Sequence, residues 1–138
     1  MPIAVACSSG DLTLEIETGS DVLQTMSTER ECCLSQLDSL SFLRGLYETR
    51  FGHLDLRGWL VRIRATDDLR NTGLDVDYSV AGHTYSDAID LAAHENTSLP
   101  HELNHVRRGS GHGGWCADFE PWSEQVLGID QREYLGCR

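Results

Sequence analysis

Hydrophobic and polar positions follow two different periods along the chain, and the change of period predicts the first strand and the first helix. Residues 11–17 alternate with a period of two, which is typical of a strand with one buried face. Over residues 28–50, apolar side chains recur every three or four positions, which predicts a long amphipathic helix ended by Gly52. Thr28 and Glu31 have the spacing of a capping box at its start.

The same patterns predict three further strands and three shorter helices. The strands are expected over residues 59–64, 74–80 and 85–92. The helices are expected over residues 99–108, from Pro121 to Gly128, and from a cap at Asp130 onward. This order predicts the α+β class, with helices packed on one small sheet.

Length and composition restrict the class of protein. The chain has 138 residues, of which 40% are hydrophobic, so we expect residues 11–138 to form a single globular domain. The net charge of -11, from 11 basic and 22 acidic residues, argues against a nucleic-acid partner, because such proteins cluster Lys and Arg against phosphates. No apolar run approaches the ~20 residues that a membrane-spanning helix needs.

The chain has five cysteines, and in an exported protein this odd number leaves one thiol to explain. Residues 1–10 resemble the end of a bacterial lipoprotein signal, with Cys7 as the lipid-bearing residue, so we expect them to be a tether and the lipid to be the only membrane contact. The other four cysteines are Cys32, Cys33, Cys116 and Cys137. They allow two disulfides, in any of three pairings. The expected location is the bacterial cell envelope, lipid-anchored or periplasmic, or the secreted fraction. The alternative is a cytosolic protein with five free thiols.

One motif carries chemistry. Residues 101–105 read His-Glu-Leu-Asn-His, and they fall where independent signals predict a helix. Side chains at positions i and i+4 share a helix face, so His101 and His105 can bind one metal ion, for which Zn²⁺ is the natural choice. Glu102 can then act as general base on a water whose pKa the metal lowers to ~7. Asn104 faces away from the metal by its spacing, in a supporting or solvent-exposed position. The alternative is a surface helix with two solvated histidines.

A catalytic zinc site needs a third protein ligand, and four residues downstream are candidates. Glu124 is preferred, because it lies on a predicted helix, with 18 residues between it and His105. The alternatives are His112, Glu120 and Asp118. His112 has a second role open to it, as a donor that stabilises the oxyanion.

The His-Glu-x-x-His motif and the order of elements around it resemble the zincin metallopeptidases. The separation between His105 and Glu124 is similar to the gluzincin pattern, in which both histidines and the glutamate bind zinc. The metzincin pattern fits less well, because its glycine and third histidine are each displaced by one residue here. The resemblance implies that residues 28–50 form a backing helix and that residues 85–92 form the edge strand that binds extended substrate.

Two functions of different classes are therefore predicted. The first is a zinc endopeptidase that cleaves a peptide or protein substrate, with Tyr134 or His112 as a donor to the carbonyl oxygen. The second is a non-catalytic module of the cell envelope that binds zinc or a partner, which the short chain favours. The oligomeric state is open.

Overall fold

A computed structural model describes residues 4–24, 28–72, 81–85 and 87–137 of the chain. It divides the chain into two compact units, Met1–Arg107 and Arg108–Arg138, where the sequence analysis predicted one domain over residues 11–138. The predicted strand over residues 74–80 lies outside the described residues.

The first unit contains a five-stranded mixed sheet. The strands are β1 (Ala4–Ser9), β2 (Leu12–Glu17), β3 (Leu60–Ile63), β4 (Gly82–Thr84) and β5 (Ala88–Leu91). Their order across the sheet is β1-β2-β3-β5-β4. β2, β3 and β5 run parallel, whereas β1 and β4 are antiparallel to their neighbours at the two edges. An α+β class with a small sheet is therefore confirmed.

Helix α1 (Glu29–Phe51) connects the parallel strands β2 and β3 and matches the predicted long helix closely. The Thr28 hydroxyl accepts a hydrogen bond from the Glu31 amide, and Gly52 ends the helix with a positive φ of 100°. The helix contributes Leu37, Leu40 and other apolar side chains to the core beside the sheet. Leu34 belongs to the apolar repeat that predicted this helix but is 39% exposed.

An ion pair holds the start of β2 to this helix. Arg44 donates two hydrogen bonds to the carboxylate of Asp11, and the Leu56 amide donates a third. Arg44 also reaches the Leu54 carbonyl, so its charge is solvated by protein groups although only 8% of the residue is exposed. The hydrogen bonds from Arg44 hold the pKa of Asp11 well below its usual range.

The opposite face of the sheet carries a buried acid. Asp90 of β5 is fully buried, and it accepts hydrogen bonds from Arg62, Arg64 and the Tyr85 hydroxyl. Arg64 also pairs with Glu17 of β2, so the ion pairs link three neighbouring strands. Paired guanidinium groups make the burial of this carboxylate tolerable.

The prediction of an edge strand over residues 85–92 is wrong. The observed strand β5 lies inside the sheet between β3 and β4, and all four of its side chains are buried. The edge position belongs to β4, whose sequence Gly-His-Thr is too short and too polar to show a strand period.

The prediction that residues 1–10 form a tether is also wrong for its described part. Residues 4–9 form the edge strand β1, and the sulfur of Cys7 is bonded to that of Cys33. A sulfur in a disulfide cannot also carry a thioether-linked lipid. The cysteine outside the two disulfides is instead Cys32, which is buried and whose thiol contacts the Val22 carbonyl.

The second unit is small and is closed by the second disulfide, Cys116–Cys137. It contains α3 (Phe119–Trp122), a π-helical segment (Ser123–Leu127) and α4 (Arg132–Leu135), around the buried rings of Trp115 and Phe119. Helix α3 begins two residues before Pro121, because a proline anywhere in the first turn lacks no needed hydrogen bond.

The two disulfides indicate an oxidising, non-cytoplasmic environment. None of the helices within the described residues has the length and apolar character needed to cross a bilayer.

Candidate metal centre

Helix α2 (Leu99–Arg108) carries the motif, as its start and end signals predicted. Pro100 lies in the first turn, where a missing amide hydrogen costs nothing. The residues from Leu99 to Asn104 are buried, whereas His105 is half-buried and the last turn leads to solvent. The motif therefore lies at the boundary between the core and the surface.

The two histidines face one another across one helical turn. The ring centroids of His101 and His105 are 5.0 Å apart, and the rings are inclined at 66°. One ring nitrogen of each lies within 4.8 Å of the other, which is close enough for both to bind one ion. His101 is 8% exposed, so its ring is held by packing.

Glu102 is a buried acid beside this pair. It is 3% exposed, and its Oε2 atom lies 4.0 Å from Nε2 of His101. Burial raises the pKa of Glu102 to about 7, although a hydrogen bond from Thr84 opposes the rise. A carboxyl whose pKa lies near neutrality is suited to take up and release a proton.

Asn104 holds the helix to α1 from behind. Its Oδ1 accepts a hydrogen bond of 2.7 Å from the Tyr47 hydroxyl, and both side chains are fully buried. Arg107 donates a hydrogen bond to the same hydroxyl and another to the Gly52 carbonyl. Asn104 is thus buried and hydrogen-bonded to α1, and the predicted solvent-exposed alternative is excluded.

The preferred third ligand, Glu124, lies in the second unit among other acids. Carboxylate oxygens of Glu120, Glu124 and Asp130 lie within 4.8 Å of one another, and Arg132 is 3.9 Å from Glu124. A hydrogen bond with Glu120 raises the pKa of Glu124. Glu120 is buried and accepts a hydrogen bond from the Gln131 amide. These carboxylates are therefore engaged in the structure of their own unit.

The other candidates also have partners within the second unit. Asp118 pairs with Arg108 and caps α3 through the Phe119 amide. The ring of His112 meets those of Trp115 and Tyr134 edge to face, with centroids 4.7 and 5.4 Å away. Asp118 is thus a capping residue with a salt bridge, whereas the His112 ring is held by two aromatic rings and stays a candidate ligand.

Sequence reasoning missed the residues that surround Glu102 and Asn104. Gly82 and Thr84 of β4 contact Glu102, but the sequence analysis gave neither of them a part in the site. Tyr47 belongs to the apolar repeat of the first predicted helix, and its hydrogen bond was not predicted. No local pattern indicates these contacts, because the partners are 18 to 57 residues apart in the chain.

Comparisons of the chain with protein-family models, with curated proteins and with solved structures found no match.

Proposed function

We propose that this protein is a zinc-dependent endopeptidase of the zincin type, with His101 and His105 as metal ligands and Glu102 as general base. One observation carries the proposal: a single helix presents two imidazoles one turn apart and a buried carboxyl beside them. A surface helix with solvated histidines does not account for the burial of His101 and Glu102.

The donor set fits zinc. Imidazole nitrogens are among its preferred ligands, and a cation beside Glu102 would offset the cost of burying this carboxylate. A bound Zn²⁺ would supply a water of lowered pKa and would polarise the substrate carbonyl. The chain itself supplies the proton transfers: Glu102 takes a proton from the attacking water and delivers it to the leaving amine. Tyr134 is proposed as a donor to the carbonyl oxygen, a role that His112 would take only if another residue were the third ligand.

For the third ligand we now favour His112 over Glu124. Only three residues separate His112 from the end of α2, so its Cα lies at most ~14 Å from that of Arg108. Glu124 has no such restraint, and its carboxylate already contacts acids and Arg132 within its own unit. Glu120 and Asp118 are less suited, because each accepts hydrogen bonds from a backbone amide.

Metal analysis tests the ligands. We expect one zinc per chain in the oxidised protein, and loss of most of it in the variants His101→Ala and His112→Ala. Glu124→Ala should keep its zinc, as should the control His53→Ala, which alters an exposed histidine on the loop after α1. Zinc lost from Glu124→Ala and kept by His112→Ala would restore the gluzincin assignment.

Hydrolysis of a fluorogenic peptide library tests the activity. Glu102→Gln should keep zinc and lose hydrolysis by at least ~100-fold, as expected for a general base. Glu29→Gln, which alters an exposed acid in the first turn of α1, is the matched control. A zinc-loaded parent that cleaves no peptide and no protein would favour the non-catalytic module instead. The oxidising environment that the two disulfides indicate is consistent with a periplasmic or secreted protein.

A further inference from the structure

Thr84 of the edge strand β4 holds one oxygen of Glu102. Its hydroxyl lies 2.8 Å from Oε1 of the carboxylate and 3.2 Å from the main-chain oxygen of the same residue. A single hydroxyl thus contacts both ends of Glu102. This restricts the side-chain rotation that a glutamate with three rotatable bonds would otherwise have.

Gly82 of the same strand gives space to the other oxygen. A Cβ atom at this position would lie 2.9 Å from Oε2 and 3.1 Å from Cγ of Glu102. Every other glycine within the described residues has open space around such an atom. Gly82 has no positive φ that would by itself require glycine, so the requirement is for room and not for backbone conformation.

The strand geometry places these two residues on one face. Side chains two apart in a strand point the same way, and His83 between them points to the other face, where it is in register with Asp90. On this face of the short edge strand, the Thr84 hydroxyl and the space left by Gly82, which has no side chain, both adjoin the Glu102 carboxylate.

We infer that β4 orients the general base: the Thr84 hydroxyl donates a hydrogen bond to Oε1, which leaves Oε2 as the oxygen that accepts the proton. Oε2 is the oxygen 4.0 Å from Nε2 of His101, on the side where the ligands lie. As the water oxygen bonds to the carbonyl carbon, its proton passes to Oε2 and makes Glu102 a neutral acid. The proton then passes from Oε2 to the amine nitrogen as the carbon–nitrogen bond breaks. Thr84 donates to Oε1 throughout and is a positioning residue. This inference rests on the proposed function.

Three variants test it. Thr84→Val removes the hydroxyl at nearly constant volume, Thr84→Ser retains it, and Gly82→Ala fills the gap while Thr84 stays in place. We expect Thr84→Val and Gly82→Ala to lower kcat by ~10–100-fold with KM changed less than about twofold, since misplacement of a catalytic group has this scale. Thr84→Ser should recover most of the lost kcat. All three should bind zinc as the parent does.

Cobalt substitution tests the orientation without a substrate. The visible absorption of Co²⁺ depends on its ligand geometry, including its solvent ligand. Relative to the Co²⁺-loaded parent, we expect Glu102→Gln, Thr84→Val and Gly82→Ala to change the bands and Thr84→Ser to leave them unchanged. Circular dichroism and thermal melting establish that each variant is folded. If Thr84→Val is not folded, Gly82→Ala alone tests the inference.

The two hypotheses fail in different ways. Parent-like kcat and parent-like cobalt bands in Thr84→Val and Gly82→Ala, with Glu102→Gln inactive, would overturn the inference and leave the proposed function intact. Parent-like hydrolysis by Glu102→Gln would overturn the proposed function, and the inference with it.

Discussion

Tyr47→Phe is expected to weaken the attachment of α2 to α1, and the size of the effect follows from burial. The variant removes the hydroxyl that donates to Oδ1 of Asn104 over 2.7 Å, and both residues are fully buried. Water cannot replace the lost donor. Leaving a buried acceptor unsatisfied costs about 1–3 kcal/mol, so the free energy of unfolding should fall by that amount.

A double-mutant cycle separates this hydrogen bond from general packing. Nδ2 of Asn104 has no hydrogen-bond partner among the described residues, so Asn104→Leu removes one unsatisfied group together with the Oδ1 atom that accepts from the Tyr47 hydroxyl. The Tyr47 hydroxyl still accepts from Arg107 in that variant. In the double variant both partners are apolar, and it should be more stable than the sum of the single effects predicts, by about 1–2 kcal/mol.

Urea unfolding of the oxidised protein, followed by tryptophan fluorescence, measures all four corners of the cycle. The m-value should not change, because the surface exposed on unfolding is the same. If Tyr47→Phe lies within about 0.5 kcal/mol of the parent, or if the two single effects simply add, the buried hydrogen bond does not hold the helix and the reasoning is wrong.

Three further predictions concern the carboxyl, the second disulfide and the metal. The pKa of Glu102 is about 7 in the folded protein and about 4.5 in the unfolded chain, so the metal-free protein should lose stability as pH rises between these values, by at most about 3 kcal/mol. In a series of urea midpoints measured against pH, Glu102→Gln should flatten this decrease. A flat profile for the parent would contradict the raised pKa. Replacing both Cys116 and Cys137 by Ser opens a loop with a sequence separation of 21 and should lower the free energy of unfolding by about 3 kcal/mol in the same urea assay. An unchanged midpoint would show that the second unit adds nothing to the measured transition. Free Zn²⁺ at 100 times its dissociation constant should stabilise the protein by about 2.7 kcal/mol. This should appear as a rise in Tm that a chelator reverses and that is absent in His101→Ala. A rise that persists in that variant would place the metal elsewhere.

Local patterns were sufficient where the interactions that form an element lie within the element. The capping residue Thr28, the three-to-four-residue repeat and Gly52 predicted α1 to within a residue at each end. The same holds for α2, whose bounds match the prediction. The motif on α2 was readable for the same reason, since the spacing between His101 and His105 is itself a helical turn.

Patterns failed where a strand is too short for a period or is made of residues that elsewhere have another meaning. β4 has three residues, and its glycine signals a turn in most contexts. Residues 4–9 read as a signal remnant, because nothing in them reveals the six cross-strand pairs that they form with β2.

By itself, the sequence determined the helices, the α+β class and the pair of imidazoles, because these depend on spacings of a few residues. Tertiary structure alone decided which strand forms the edge, which cysteines pair and what surrounds Glu102. Those features depend on contacts between residues that are distant in the chain, such as Thr84 with Glu102 and Cys7 with Cys33. Their free energy comes from burial and from hydrogen bonds that exist only when the sheet and α2 have come together, so no local pattern contains them.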